Sequence, residues 1–190
     1  MKKLSIFASG SGTNAENIAK YFSNSKHIEV AVLLSNNPRA GALERMKRLN
    51  IPSFTFSKDE FVTGDIVLKK LSEYAVDRII LAGFMNRISP VLIRAYPDRI
   101  INIHPALLPK YGGKGMYGMH VHEAVVANHE KESGITIHYI NENYDEGRII
   151  FQAKCTVLPE DTPEDVAAKV HRLEYAHYPK VIEKLLTEKT

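Results

Sequence analysis

The sequence predicts an α/β fold: an open twisted sheet with a parallel N-terminal half, antiparallel C-terminal strands, flanking helices and a long C-terminal helix. Three observations carry this. Short apolar runs alternate with helix-periodic stretches through the first half of the chain, the pattern of parallel strands joined by crossover helices. Two later strand-like runs, 134–140 and 148–157, are joined only by Asn141 to Gly147, a connection that suits antiparallel neighbours. Finally, Thr162-Pro163-Glu164-Asp165 has the capping chemistry of a helix start and opens a long apolar-periodic stretch.

In chain order, Leu4 to Ala8 is a short buried strand, and Ser9-Gly10-Ser11-Gly12-Thr13-Asn14 is a glycine-rich turn into a helix carrying Ile18, Ala19 and Phe22. Exposed amides at such a helix start favour an anion, phosphate in particular. Gly10-x-Gly12-x-x-Ala15 approximates the Rossmann dinucleotide fingerprint, but the second strand, Val30 to Leu34, ends in Ser35-Asn36-Asn37 and not in the carboxylate that grips a ribose. A phosphate monoester therefore suits the loop better than NAD, and Thr13 and Asn14 add side-chain donors. The bland alternative is a tight turn that binds nothing.

A helix around Ala42 to Leu49 follows, then a brief strand at Ser53 to Phe56, and one longer helix with Ile66, Leu68, Leu71 and Tyr74 as its apolar face. Arg78 to Ala82 is the fourth strand. The loop Gly83 to Ile88 leaves its carboxyl end, with Phe84 and Met85 read as core residues, and Ser89-Pro90 starts a short helix. This strand-helix alternation is Rossmann-like.

The fifth strand ends in Asn102-Ile103-His104-Pro105. Alternation points the amide and the imidazole to one face, and Pro105 bars the strand from continuing. Ligands of open α/β sheets bind beyond the carboxyl ends of the strands, where an amide donor and a titratable ring can meet a reacting carbonyl. A capped strand end with a satisfied His is the competing reading. Tyr111 to His120, with four glycines, reads as a mobile flap. His120, His122 and His138 lack an acidic or thiol partner at metal-ligand spacing, so no metal is expected. The final helix is expected to bury Val166, Val170, Leu173, His177, Val181 and Leu185.

The 190 residues, 44% apolar and 25% charged, suit a single domain spanning 1–190, with no repeat or linker. The net charge of +3 is dispersed, without a basic block, so nucleic acid is not an expected partner. The single Cys155 allows no intrachain disulfide, and its alternating surroundings predict burial over nucleophilic use. No apolar run approaches the roughly 20 residues of a membrane helix, and Met1-Lys2-Lys3 leads into no adequate signal-peptide core. A cytoplasmic location is the expectation.

Taken together, the glycine loop, Leu81-Ala82-Gly83-Phe84-Met85, Asn102-x-His104-Pro105-x-Leu107-Leu108-Pro109 and Asp145-x-Gly147 stand in order at strand ends. In these motifs the chain resembles the folate-dependent formyltransferases over nearly its whole length. The resemblance implies formyl transfer from 10-formyltetrahydrofolate to the amino group of glycinamide ribonucleotide (GAR), small-molecule substrates only, and a monomer or homodimer. It also implies that Asn102, His104 and Asp145 are catalytic, and that Gly12, Thr13, Asn14 and Glu174 hold GAR. Met85, Asn86, Arg87 and Ile88, with Asn102 and Asn141, would line the folate pocket. His171 stands where other members carry a different polar residue. A sugar-nucleotide formyltransferase and a catalytically inactive nucleotide-binding module are the rival readings.

The chemistry accounts for these residue types. Attack of a primary amine on a formyl carbon creates a tetrahedral oxyanion, which an amide donor and an imidazolium can both steady, and leaves a proton to remove. Asp145, if it approaches His104, would favour the imidazolium and help to move that proton. The alternatives are a turn-forming Asp145 before Gly147 and an exposed helical Glu174.

Overall fold

A computed structural model describes residues 1–143 and 145–187. In order, the elements are β1 (Lys2–Phe7), α1 (Thr13–Phe22), β2 (Ile28–Ser35), α2 (Gly41–Arg48), β3 (Ser53–Thr55), α3 (Lys58–Thr63) and α4 (Asp65–Glu73). They continue with β4 (Arg78–Leu81), α5 (Pro90–Ala95), β5 (Ile100–His104), α6 (Met119–Ala127), β6 (Glu132–Tyr139), β7 (Ile149–Thr156) and α7 (Pro163–Thr187). One sheet runs β3-β2-β1-β4-β5-β6-β7. β1 to β5 pair in parallel, and β6 and β7 add antiparallel, as the short connection predicts.

Helices cover both faces, so the central strands are buried on both sides. Leu4, Ile6 and Ala8 point into a core shared with α1, α2, α6 and α7, while Phe7 points into a second core closed by α3, α4 and α5. β1 pairs with β2 on one side and β4 on the other, so the winding direction reverses between β1 and β4. The loops leaving β1 and β4 and the end of β5 therefore share one rim, where this topology opens a crevice.

Four sequence expectations change. The segment 58–73 is two helices broken at Gly64, whose φ of +81° is left-handed; a Ser57–Glu60 capping box starts the first. This break rotates the buried face to Phe61, Val67 and Leu71, and Ile66 is exposed. β3 stops at Thr55, because Phe56 turns inward and stacks on Phe61. The glycine-rich flap ends at Gly118, and α6 follows it, burying Val121, His122 and Val125. Finally, the buried stripe of α7 runs through Val166, Val170, Glu174, Tyr178 and Ile182, while Leu173, His177, Val181 and Leu185 flank it half-buried. Two polar residues take the inward positions because both find partners there: the Tyr178 hydroxyl lies 2.9 Å from the Leu81 carbonyl and 3.1 Å from that of Ile101.

Among the described residues, no helix is long and apolar enough to cross a membrane.

Candidate active site

A cavity of about 540 Å³ opens on the shared rim and runs from the glycine loop, past the end of β5, to the loop after β4. That volume suits a metabolite-sized ligand. All the residues assigned to a site from the sequence line it: Gly12, Thr13, Asn14, Met85, Asn86, Arg87, Ile88, Asn102, His104, Asn141, Asp145 and Glu174.

At one end, the chain leaves β1, and the Ser9 N–H donates to the Gly83 carbonyl (3.0 Å). Gly12 caps α1 with φ +75°, and a Cβ there would lie 2.4 Å from Cα of Ala42, so the close approach of α2 requires glycine. The first-turn amides of α1 have no intrahelical acceptor and offer an anion site at the cavity wall. Asn14 is more committed than the sequence suggested. Its Nδ2 donates to Oε2 of the buried Glu174 (2.8 Å), while its Oδ1 is buried without a partner. The same Glu174 oxygen accepts from Nδ1 of His171 (2.9 Å), and this pairing raises the His171 pKa. Glu174 is thus an interior carboxylate and not an exposed helical one.

In the middle, β5 delivers Asn102 and His104. Nδ2 of Asn102 donates to Nε2 of His138 (3.1 Å), whose Nδ1–H is in turn taken by the Tyr139 carbonyl (3.0 Å). Burial pushes the His138 pKa down, which favours the neutral tautomer this pattern needs. His104 is buried, and its Nε2–H donates to the Tyr111 carbonyl (2.7 Å). Nδ1 of His104 stands 3.7 Å from Asp145 Oδ2, a distance of charge attraction and not of a hydrogen bond. Asp145 Oδ2 accepts the Gly113 N–H (2.9 Å), and Oδ1 lies 3.7 Å from His138 Nε2. Asp145 sits at φ +53°. Gly147 lets its loop fold back: a Cβ there would lie 1.6 Å from the Tyr139 oxygen. The Asp-x-Gly spacing therefore brings a carboxylate against β5.

At the other end, Phe84 packs edge-on against Phe7 (5.5 Å) and Phe61 (5.4 Å) and also lines the cavity. Met85, expected in the core, is 57% exposed because its N–H is pinned to Ser9 Oγ (3.0 Å), turning the side chain outward. Ile88 is buried and anchors the loop, and the Arg87 guanidinium donates to the Glu142 carbonyl, joining the two loops that flank this end. Asn141 is exposed on the cavity rim.

The sequence reading missed three participants: His138, treated only as a metal candidate; buried His122 on α6; and the flap backbone at Tyr111 and Gly113. A signal existed for the first. In Ile135-Thr136-Ile137-His138, alternation puts Thr136 and His138 on one face, opposite His104 and Asn102 respectively. Burial lowers the pKa of His122, which lines the cavity. Cys155 is half-buried, and burial pushes its thiol up, as befits a packing residue. Among the described residues, no group of three or more His, Cys, Asp or Glu is arranged to hold a metal ion.

Comparison with known proteins gives a consistent result. A family model described as formyl transferase matches residues 2–182. The phosphoribosylglycinamide formyltransferase of Bacillus subtilis is 36% identical over 98% of this chain and 95% of its own length. The chloroplastic phosphoribosylglycinamide formyltransferase of Arabidopsis thaliana is 39% identical over 99% of the chain, which spans 66% of that relative and 62% of the one from Vigna unguiculata. Among solved structures, the phosphoribosylglycinamide formyltransferase of Anaplasma phagocytophilum superposes with a TM-score of 0.91 at 32% identity, covering 99% of this chain and 88% of its own. That of Bacillus halodurans gives 0.88 at 37%, covering 98% and 96%. With a family match over almost its entire length, and a bacterial relative that it covers nearly end to end, the chain belongs to the formyl transferase family.

Proposed function

We propose that this chain is a phosphoribosylglycinamide formyltransferase, moving the formyl group of 10-formyltetrahydrofolate to the amino group of GAR in de novo purine synthesis. The observation that carries the proposal is the single cavity joining the α1 amides, the Asn102–His104–Asp145 group and the loop after β4. It is an assembly for a phosphorylated amine to meet a carbonyl donor.

In this reading, the α1 amides of Gly12, Thr13 and Asn14 hold the GAR phosphate, and Glu174 meets the glycinamide. Backbone groups of Met85 to Ile88, with Asn141 opposite, read the pterin ring. His138 spends its Nε2 on one Asn102 N–H and so aims the other at the formyl oxygen. His104 is held by Tyr111 through Nε2, leaving Nδ1 to face the reacting atoms. As the amine nitrogen bonds to the formyl carbon, Asn102 and an imidazolium His104 steady the oxyanion. Asp145 takes the amine proton, directly or through a water. His104 gives its proton to the folate nitrogen as that nitrogen's bond to the formyl carbon breaks, and Asp145 then passes the amine proton on to His104. The chain acts as a single domain over 1–190 in the cytoplasm, as a monomer or homodimer, with no nucleic-acid or membrane partner.

One folate-absorbance assay tests this, offering GAR and an amino-sugar nucleotide separately. Turnover with GAR is expected. Turnover with the sugar nucleotide alone, or tight GAR binding without formyl product, would replace the proposal with one of its rivals.

A further inference from the structure

We propose that Glu130 is a positioning residue for the reaction: by holding the Tyr111 phenol, it fixes the short backbone stretch that orients both His104 and Asp145. The proposal rests on the formyl-transfer reading above and adds to it a residue outside the main cavity.

The base of the flap touches the reacting group twice. The Tyr111 carbonyl accepts the Nε2–H of His104 (2.7 Å), and the Gly113 N–H donates to Oδ2 of Asp145 (2.9 Å). The segment 111–113 therefore spaces the imidazole from the carboxylate, whose Nδ1 and Oδ2 stand 3.7 Å apart. That backbone does not keep its shape unaided. Tyr111 sits in the left-handed region at φ +56°, a conformation that persists where surrounding contacts impose it, and the two glycines after it are intrinsically free. The bond from the Met116 N–H to the Gly113 carbonyl (3.2 Å) stays within the flap and ties the segment to nothing outside it.

Side chains make the outside tie. The Tyr111 hydroxyl and Lys110 Nζ both donate to Oε1 of Glu130, at 3.0 and 2.9 Å. These three residues line a separate cleft of about 190 Å³ and do not line the main cavity. Burial, and then the Glu130 contact, pushes the Tyr111 pKa up, so the phenol stays a donor. Glu130 itself has a firm base at the end of α6. There the His129 N–H donates to the Val126 carbonyl (3.0 Å) and the Glu130 N–H to that of Val125 (3.2 Å), with His129 left-handed at φ +49°. This is a Schellman closure, and Val121 and Val125 bury the helix it ends. Just beyond, the Lys131 carbonyl accepts the Val157 N–H (2.9 Å). The packed end of α6 thus reaches His104 through one carboxylate, one phenol and one carbonyl. Lys110 is 68% exposed, so its pairing contributes little and the phenol carries the connection.

The test is steady-state formyl transfer by Tyr111→Phe, Glu130→Ala, Glu130→Gln and the Tyr111→Phe/Glu130→Ala double variant, at temperatures well below their melting points. Phe keeps the packing of the Tyr111 ring on the core and loses only the hydroxyl. A displacement of about 1 Å costs about a hundredfold, so a slackened segment should lower kcat about tenfold in Tyr111→Phe and Glu130→Ala. The KM for GAR and for folate should stay within about twofold of wild type. The double variant should be no slower than either single one, because both remove the same hydrogen bond. Glu130→Gln keeps an oxygen that accepts from the phenol and should stay within about threefold of wild-type kcat. NMR of isotope-labelled histidine rings gives a readout independent of turnover. The His104 Nε2–H, identified by its loss in His104→Asn, should exchange with water faster in Tyr111→Phe and Glu130→Ala than in wild type. Unchanged kcat, a loss confined to KM, multiplied losses in the double variant, Glu130→Gln as slow as Glu130→Ala, or unaltered exchange would each overturn the proposal. If the wild type forms no formyl-GAR while both variants loosen the His104 proton, the formyl-transfer reading fails and the positioning role stands. If wild-type turnover is normal and the variants change neither kcat nor exchange, only the positioning role fails.

Discussion

Replacing Asn102 with Ala should damage rate and stability by separable amounts. On the proposed mechanism, the rate loss comes from deleting one of two oxyanion donors, which costs about 100- to 1000-fold in kcat. The stability loss has another origin. Asn102 Nδ2 is the hydrogen-bond partner of His138 Nε2, and His138 has no exposed surface, so the variant leaves a buried acceptor with nothing to accept. An unpaired buried acceptor costs about 1–3 kcal/mol, and each kcal/mol lowers the melting temperature by about 2–4 °C in a chain of this size. Adding His138→Leu to Asn102→Ala removes the orphaned nitrogen, so the double variant should recover part of the melting temperature and none of the rate. Folate-absorbance kinetics and thermal melts on the same preparations read both quantities. A kcat for Asn102→Ala within about threefold of wild type would refute the oxyanion role, and an unchanged melting temperature would refute the His138 contact.

Asp145→Asn should slow turnover by on the order of a hundredfold and flatten the pH profile of kcat/KM, since an amide keeps the shape but takes no proton; a wild-type profile would exclude Asp145 from proton transfer. Gly12→Ala should destabilise the fold by about 1–3 kcal/mol, through a left-handed backbone and the overlap with Ala42, and raise the KM for GAR; melts and kinetics check both. His122 and His138 have pKa values lowered by burial, so the unfolded chain binds more protons below about pH 6.5. Their contribution should leave stability level above that pH and erode it as pH falls. His171 has the opposite sign: its pairing with Glu174 stabilises below its unfolded pKa and is lost as pH rises through its raised folded value. Melting temperatures across the acid range, with His122→Asn showing a shallower decline than wild type, would bear this out; an equally steep decline would count against it.

Much of the fold and site was legible because its signals are local. The glycine loop, the apolar runs of β1, β2, β4 and β5, and the Pro105 stop all lie within a few residues of what they determine. So does the short 141–147 connection that made β6 and β7 antiparallel. What escaped depends on contacts distant in sequence. The inward face of α7 was misjudged because hydrophobicity ranks Leu173 and Val181 above Glu174 and Tyr178, and only Asn14, Leu81 and Ile101 make the polar pair welcome inside. Helix α6 was hidden behind the glycines of the flap, although Val121 and Val125 have helical spacing. The use of His138 required knowing that β6 lies against β5. The core reading of Met85 failed, while its place on the cavity lining held, because local hydrophobicity cannot register its backbone tether to Ser9.

The phenol of Tyr178 reaches backbone oxygens on two adjacent strands, one leading into the Gly83 to Ile88 loop and the other carrying Asn102. One turn earlier, the same helix presents Glu174 to Asn14. The C-terminal helix is therefore a tie-rod spanning both ends of the crevice. On the proposed function, a disturbance that slides it should misalign formyl donor and acceptor together, because the two walls of the crevice are geared to one piece of scaffold although their residues are scattered along the chain.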